Sequence, residues 1–387
     1  MELTYLDHAA TSWPKPRAVG AAMLRVMTEA GGNPGRAGHP LSMRASSVVY
    51  EARAAAAEFF GLSLPENVLF YPNATYAVNA VLHGLPLAGK RVLISELEHN
   101  AVIRPLYRLQ TESDVKTEVY PVFGTGDGML SDEEIVSGIR ARLTRDTALV
   151  CACHVSNVCG ARLPIEKIGA LCRAAKIPFL VDASQSAGVY DIDMMCDNID
   201  YLCCAGHKAL LGPQGSGLLL IGDGAMVPRA SVQGGNGVAS LLPDRPYFLP
   251  EALEAGTLSV PAIAGLHAGI SHIGKVGIGE IRDSCHMLYR RLHDMLESLP
   301  GVTVYRSEIP QGCALSFNVD GLSCTACAEL LADDGICVRA GFHCTPLPHR
   351  AFGTEATGCV RASVGWGSSV RDTDRFYRAM RQICRSR

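Results

Sequence analysis

The sequence predicts an α/β protein built on a mostly parallel sheet, with a smaller α+β part toward the C-terminus. Short apolar runs rich in Val, Ile and Leu alternate with amphipathic segments over the first two thirds of the chain. This alternation is typical of β-α units on a parallel sheet. After about residue 256 it gives way to long helical stretches and short strand-like pieces. We expect a large domain over residues 16–255 and a small domain over 256–387 that includes residues 1–15.

The first part supplies clear strands and helices. Arg91–Ser95, Ala148–His154 and Ile177–Asp182 are short apolar runs of strand length. Pro164–Ala175 has apolar residues at helical spacing, which predicts a helix between two of these strands. The sequence Ser-Asp-Glu-Glu at 131–134 has the form of a capping box, which predicts a helix start.

The second part of the sequence shows a different pattern of predicted elements. A long helical stretch is expected from Pro261 to about Leu299, followed by short strand-like pieces at Val302–Tyr305 and Ala314–Asn318. A further helix is expected over Thr325–Asp333.

Composition excludes several classes of protein. Hydrophobic residues make up 48% and charged residues 19% of the 387 residues, and the 39 Gly and 21 Pro are scattered, which excludes disordered and collagen-like chains. The net charge is −3 with no basic stripe, so we expect no nucleic-acid partner. No run of 18 apolar residues and no signal-peptide pattern occur, so we expect a soluble cytoplasmic protein without membrane contact. The 15 cysteines are not expected to form a disulfide scaffold.

The most informative segment lies at 200–217, where a strand-like run ends at His207 and Lys208 before a glycine-rich turn. Lys208 is a candidate Schiff-base residue, although a solvated lysine at a strand end fits as well. Asp182 ends another apolar strand 26 residues earlier. Both should lie beyond the carboxyl ends of parallel strands, where ligands bind in open α/β sheets.

A lysine and a carboxylate in this position suit pyridoxal 5'-phosphate (PLP), which needs a Schiff-base lysine and an acid at its pyridine nitrogen. Ala74 and Thr75 precede a helix-like run, where backbone N–H groups bind phosphate. His99 follows a strand and could stack on a ring. A plain helix cap for Thr75, a surface position for His99 and a turn role for Asp182 would also fit the sequence.

Two further segments carry candidate chemistry. Cys344 stands next to His343 in a loop with Gly341 and two prolines. A thiol beside a potentially cationic histidine can be nucleophilic, although one more buried cysteine is the plainer interpretation. Arg361 could clamp a substrate carboxylate with its planar fork, although most arginines are surface residues.

Cys324 and Cys327 form a CxxC with no second pair at metal-binding spacing. The segment also fits a first helical turn with Ser323 as its cap, so a structural role is favoured and no metal site is predicted.

Taken together, these residues resemble the class V aminotransferase family of fold-type I PLP enzymes. Within it, the chain is similar to the group II, SUF-type cysteine desulfurases and the selenocysteine lyases. The resemblance runs over nearly the whole chain. It is carried by these motifs: LDHAAT at 6–11, AT at 74–75, EHN at 98–100, HVSN at 154–157, VDASQ at 181–185, GHK at 206–208, EAGT at 254–257, RAGFHC at 339–344 and RAS at 361–363.

The resemblance implies a role for each candidate residue. Around the cofactor, Lys208 would be the Schiff-base lysine, Asp182 would pair with the pyridine nitrogen, Gln185 would contact the phenolic oxygen and His99 would stack on the ring. Ala74, Thr75 and His207 would hold the phosphate, with Thr257 reaching over from the second subunit of a homodimer. Ala10, Asn157 and Arg361 would bind the substrate, and Cys344 would accept sulfur.

The implied reaction converts L-cysteine to L-alanine. Lys208 would act as general base, and Cys344 would attack the substrate sulfur and carry it as a persulfide to an acceptor protein whose identity is open. Selenocysteine lyase activity uses the same residues, and Cys344 could be dispensable for it. Transamination, elimination or epimerisation without Cys344 and a non-catalytic scaffold are competing hypotheses. Whether the sulfur serves iron–sulfur clusters, thiolated cofactors or selenium metabolism is also open.

The chain departs from the family pattern at a few positions. His8 replaces the usual Asn of the first motif, Phe342 stands where a second His is common, and Ala205 replaces a frequent phosphate-binding Ser. Arg36 and His39 lie in a region that approaches the active site from the dimer mate in similar proteins. These departures bear on the substrate, cofactor affinity and acceptor more than on the reaction class.

Overall fold

A computed structural model describes residues 3–35, 38–124, 128–238, 241, 248–305 and 312–385; Arg36 lies outside them. The strands are β1 (Thr4–Tyr5), β2 (Val68–Tyr71), β3 (Arg91–Ser95), β4 (Lys116–Tyr120), β5 (Thr147–Cys153), β6 (Phe179–Asp182), β7 (Tyr201–Ala205), β8 (Gly217–Ile221), β9 (Val302–Tyr305), β10 (Ala314–Val319), β11 (Ile336–Cys337), β12 (Arg339–Gly341) and β13 (Cys359–Ser363). The helices are α1 (Arg17–Glu29), α2 (Pro40–Phe59), α3 (Ala74–Gly84), α4 (Asn100–Ser113), α5 (Asp132–Arg142), α6 (Ile165–Ala175), α7 (Val260–Val276), α8 (Ile278–Glu297), α9 (Cys324–Asp333), α10 (Pro346–Ala351) and α11 (Val370–Arg385). Within the described ranges, no helix combines the length and the apolar character that a membrane crossing requires.

The large sheet has seven strands in the order β2-β8-β7-β6-β5-β3-β4. From β7 through β4 neighbouring strands run parallel, while β8 is antiparallel to both β7 and β2. Every residue of β6, β7 and β8 is buried, as expected when helices cover both faces of a parallel sheet. The predicted α/β class with a mostly parallel sheet is confirmed.

Alternate side chains of the strands enter two separate cores. On β3, Leu93 joins one cluster of buried side chains, while Val92 and Ile94 join the other. This follows from the period of two along a strand, which sends successive side chains to opposite faces. The apolar run of β3 is therefore a strand buried on both sides.

A second, antiparallel sheet has the order β12-β13-β10-β9. The N-terminal segment joins this region, because β1 pairs in parallel with β11 and Asp7 forms a bridge with Ser363. Helix α7, in turn, packs extensively against α1 and α2. The division into domains at residues 255 and 256 stays a prediction.

Most predicted elements are confirmed, including the capping box, in which Ser131 and Glu134 each bind the other's backbone N–H. The helical stretch predicted from Pro261 to about Leu299 is confirmed, but it consists of two helices, α7 and α8, that meet at Gly277. Gly277 has φ 95°, a conformation that a helix cannot continue through and that glycine adopts readily. The apolar pattern continues across this break, which is why periodicity alone did not reveal it.

Candidate active site

A cavity of about 190 Å³ lies at the carboxyl ends of β6 and β7. Asp182 is the last residue of β6, and Lys208 follows the end of β7 by three residues. The two residues, far apart in sequence, meet here because β6 and β7 are parallel neighbours. The side chains and backbone around the cavity come from Asn73, Ala74, Thr75, His99, Ala101, Cys153, Asn157, Asp182, Ser184, Gln185, Ala205, His207 and Lys208.

The amine of Lys208 is held in a desolvated position. Burial lowers the pKa of Lys208 from its usual 10.5, and the carboxylate of Asp182 partly opposes this shift. The Lys208 backbone is fixed as well, since Ser12 Oγ donates to its carbonyl oxygen at 2.8 Å. The lysine is thus biased toward the neutral amine, the form that acts as nucleophile and base.

Asp182 lies near a second buried carboxyl group. Its Oδ1 accepts the N–H of Ser184 at 2.9 Å. Glu98 is fully buried, and its Oε1 accepts from Ser95 Oγ at 2.6 Å and from the N–H of Cys153 at 2.7 Å. Burial, with a smaller contribution from Asp182, raises the pKa of Glu98 to about 7. Burial thus favours the neutral form of Glu98 up to about pH 7.

His99 is the N-cap of α4, and its Nδ1 accepts the N–H of Ala101 at 3.0 Å. Burial lowers the pKa of His99. The neutral ring therefore carries its proton on Nε2 and presents an uncharged aromatic surface to the cavity.

The start of α3 forms the other end of the cavity. Asn73 caps the helix by accepting the N–H of Tyr76 at 3.2 Å, and Ala74 and Thr75 are the first helical residues. First-turn N–H groups have no partner within their helix and favour anions. Gly217 on β8 is required for this arrangement, because a Cβ there would lie 2.5 Å from the backbone of Asn73.

Buried polar atoms without a partner also line the cavity. Among the described residues, neither His207 Nδ1 nor Ser184 Oγ has a hydrogen-bond partner. Burial lowers the pKa of His207 to about 4. Such atoms are costly unless a ligand or water satisfies them.

Cys344 lies outside the cavity, on an exposed part of a firmly held loop. Asn157 Nδ2 donates to the carbonyl oxygen of His343 at 2.8 Å, and the N–H of Asn100 donates to that of Cys344 at 2.8 Å. Thr345 Oγ1 donates to Asn157 Oδ1 at 2.7 Å. His343 and Cys344 have φ 51° and 58°, so two successive non-glycine residues adopt the left-handed conformation.

The prediction that His343 is a cationic neighbour of Cys344 is wrong. The ring of His343 is buried, and its Nε2 lies 3.5 Å from Cys359 Sγ. Burial, reinforced by Arg361, lowers the pKa of His343 to about 2, so the ring is neutral. Among the described residues, Lys208 and Arg339 each interact electrostatically with Cys344.

Arg361 is buried next to this loop. Its Nη2 donates to Asp7 Oδ1 at 2.8 Å and its Nη1 to the carbonyl oxygen of Asn157 at 3.1 Å. Nε of Arg361 is buried without a partner among the described residues. Asn157 therefore joins the cavity, the Cys344 loop and Arg361.

The other predicted site residues do not all border the cavity. Gln185 lines the cavity, and its Nε2 donates to the carbonyl oxygen of Ala9 at 2.9 Å. Ala10 is not among the residues around the cavity. Thr257 lies in a separate open groove of about 1010 Å³ that also contains Arg53 and Glu254.

Three residues of this region had no predicted individual role: Glu98, Ser184 and Asp7. Each belongs to a motif, but the burial of all three side chains and the pairing of Glu98 and Asp7 are not visible in a sequence. Cys324 and Cys327 are buried in the first turn of α9, which Ser323 caps. Among the described residues, no cluster of His, Cys, Asp and Glu is arranged to hold a metal ion.

Comparison with known proteins extends these observations. The family model Aminotransferase class-V matches residues 4–376. The chain belongs to the class-V aminotransferase family.

Curated relatives match nearly the whole chain. A probable cysteine desulfurase of Methanothermobacter thermautotrophicus is 30% identical over 98% of this chain and 94% of its own length. A probable cysteine desulfurase of Mycolicibacterium paratuberculosis is 31% identical over 98% of this chain, which spans 55% of that relative. The apo structure of the cysteine desulfurase from Thermococcus onnurineus superposes with a TM-score of 0.89 at 30% identity, over 100% of this chain and 95% of that one. The fold is thus that of the fold-type I family predicted from the motifs.

Proposed function

We propose that this class-V protein is a PLP-dependent cysteine desulfurase, which converts L-cysteine to L-alanine and transfers sulfur to Cys344. One observation carries the proposal: Lys208 and Asp182 meet in one cavity, and an exposed thiol stands on a held loop beside it. The relatives that are named probable cysteine desulfurases support the choice of substrate.

The cavity fits PLP. With PLP bound, Asp182 would pair with the pyridine nitrogen, Gln185 would contact the phenolic oxygen and His99 would stack on the ring, since all three border the cavity. His207, whose Nδ1 has no partner among the described residues, and Thr75 at the start of α3 would hold the phosphate. When bound, the cofactor supplies an electron sink that stabilises negative charge at the substrate Cα.

Lys208 is the group that moves the proton at Cα. Its lowered pKa gives a larger neutral fraction at pH 7 than an ordinary lysine has, as general base catalysis needs. Asn157 and Arg361 bind the substrate carboxylate, and the unpartnered Nε of Arg361 is an available donor. Asp7 keeps the guanidinium in place.

Cys344 is the sulfur acceptor. Its thiolate attacks the substrate thiol sulfur, so that an S–S bond forms and the substrate Cβ–S bond breaks. The electron pair of the broken bond stays on the carbon, which takes up one proton to become the methyl group of alanine. The substrate sulfur is thereby oxidised to the sulfane level, the carbon is reduced, and no external oxidant is needed. An acceptor thiol then removes the sulfane sulfur from Cys344.

We also propose a homodimer in which Thr257 reaches the phosphate site of the second copy. In one chain Thr257 lies in a groove distinct from the cavity, so only a second copy could bring it there. A cytoplasmic location is proposed as well, because Cys344 is exposed and a reducing compartment keeps such a thiol reduced.

The test is the release of alanine and sulfide from L-cysteine with a reductant, for the wild type and for Cys344→Ala. We expect the wild type to turn over cysteine and the variant to lose this activity. A buried-thiol control, Cys172→Ala, should retain it, since Cys172 lies on α6. If cysteine is inert and selenocysteine reacts without Cys344, the protein is a selenocysteine lyase and the proposal fails.

A further inference from the structure

A buried histidine of α10, His349, contacts the loop that carries Cys344. His349 is 1% exposed, and its Nε2 lies 3.2 Å from the carbonyl oxygen of Phe342, two residues before Cys344. Its Nδ1 lies 2.7 Å from Oγ1 of Thr354, which is itself 2% exposed. The candidate site described so far assigns no role to either side chain.

The chemistry of these two contacts fixes the tautomer. A carbonyl oxygen only accepts hydrogen bonds, so His349 Nε2 carries the proton and donates to Phe342. Nδ1 is then an acceptor for the hydroxyl of Thr354. The N–H of Thr354 also donates to the carbonyl oxygen of His349 at 2.9 Å, so two hydrogen bonds join His349 and Thr354. His349 is held in one orientation by a partner that does not belong to the loop.

The bond to Phe342 completes a set of three successive carbonyl anchors. Phe342 accepts from His349 and from the N–H of Thr345 at 3.0 Å, His343 accepts from Asn157, and Cys344 accepts from Asn100. The ring of Phe342 also meets His349 edge-on, with centroids 5.3 Å apart. Two left-handed, non-glycine residues persist only where their surroundings over-determine them.

We propose that His349, oriented by Thr354, is a positioning residue that holds Cys344 in its reactive place. The anchors at His343 and Cys344 come from residues that also border the cavity or begin α4, whereas His349 lies on α10 and is not among the residues that line the cavity. Loss of the hydrogen bond from His349 to Phe342 leaves the Cys344 thiol chemically intact but displaced from its reactive position. Misplacement by about 1 Å costs on the order of 100-fold in rate.

The kinetic arm of the test rests on the proposed function. We expect His349→Ala to lower kcat for cysteine desulfuration by about 10- to 100-fold while KM stays within about threefold. His349→Gln, whose amide can still donate to Phe342, should recover much of the rate. Thr354→Val should give an intermediate loss. His286→Ala is the control, because this half-buried histidine bonds to Tyr190 on a different part of the fold.

A structural arm does not depend on activity. Hydrogen exchange followed by mass spectrometry reports the amides of Thr345 and Asn100, which donate to the loop carbonyls. In His349→Ala and Thr354→Val these amides should exchange at least several-fold faster, while the strands of the large sheet keep wild-type protection. His349→Gln should exchange as the wild type does.

The outcomes separate the two proposals. Unchanged exchange and unchanged kcat in His349→Ala overturn the positioning role. An equal loss of protection throughout the chain in every variant also overturns it, because His349 would then serve the core rather than the loop. A wild type that does not turn over cysteine, with local loop exchange still accelerated in His349→Ala, rejects the desulfurase and retains the structural role of His349.

Discussion

The carboxylate of Asp7 and the guanidinium of Arg361 form a buried ion pair, with 2.8 Å between Oδ1 and Nη2. Asp7 comes from the N-terminal segment and Arg361 from β13, so the pair joins the N-terminal segment to the four-stranded sheet. Arg339 binds the other oxygen of Asp7 at 2.8 Å. Asp7 thus orients the arginine that we assign to the substrate carboxylate.

Replacement of Asp7 by Asn should therefore destabilise the fold and weaken substrate binding. Arg361 is 2% exposed, and an uncompensated buried charge costs about 3–5 kcal/mol. We expect the free energy of unfolding to fall by about 3 kcal/mol in urea titrations, together with a higher KM for cysteine. Asp283→Asn is the control, since its pair with Arg282 is exposed and such pairs contribute about 0–1 kcal/mol. Equal stability of both variants would contradict the role of Asp7.

Glu98 should make the protein less stable as pH rises. Its pKa in the folded state is raised to about 7 from 4.5, so the folded state holds more protons than the unfolded state between these values. Stability contributed by the neutral form is present below pH 4.5 and is lost as pH rises through 7. Glu98→Gln, which keeps an amide oxygen for Cys153, should gain on the order of 2–3 kcal/mol relative to wild type as the pH is raised from about 5 to 8. Urea titrations at the two ends of this range measure the gain, with the exposed Glu112→Gln as control, and a constant difference would reject the buried neutral carboxyl.

His343 should contribute to acid sensitivity rather than to thiol activation. Its pKa is lowered to about 2 from 6.5, so the unfolded state takes up a proton in this window and the folded state does not. Stability from this group is present above pH 6.5 and falls by roughly 1.4 kcal/mol per pH unit below it. His343→Gln should lose stability less steeply than wild type between about pH 6 and 4, while the shape of its pH–activity profile between about 6 and 8 is unchanged. If the pH–activity profile of the variant loses an inflection, the result would support a cationic His343 after all.

Cys324 and Cys327 should be dispensable for catalysis. Both are buried in the first turn of α9, and Cys324 Sγ contacts the carbonyl oxygen of Thr357. Cys324→Ala/Cys327→Ala should keep activity within about twofold and lose about 1 kcal/mol of stability for each substitution. Mass spectrometry of the enzyme treated with cysteine should find the persulfide on Cys344 in both proteins. Sulfane sulfur on the α9 peptide would show that the CxxC takes part.

Thr257→Val should weaken cofactor binding in the dimer. Loss of one hydrogen bond to a charged phosphate costs about 1.5–3 kcal/mol, so we expect the Kd for PLP to rise about tenfold or more. Light scattering establishes the oligomeric state, and Ser259→Ala is a matched control because its side chain does not cap α7. Unchanged affinity in a dimeric Thr257→Val protein would exclude the contribution from the second copy.

The order of elements could be predicted because it depends on local patterns. The β3 run, the capping box at Ser131 and Glu134, and the strand that ends at Asp182 each carry their signal within a few residues. Lys208 and Asp182 could be placed together as well, since parallel strands align their carboxyl ends at one edge. The break at Gly277 was missed because apolar residues continue on both sides of it.

The sequence by itself therefore determined the fold class, the Lys208 and Asp182 pair, and Cys344 as the candidate nucleophile. Only the tertiary structure decided that His343 is neutral, that Asp7 pairs with Arg361, and that His349 supports the Cys344 loop. These properties depend on burial and on the distance between side chains far apart in sequence. Protonation and pairing of a group follow from the atoms around it, and folding brings those atoms together.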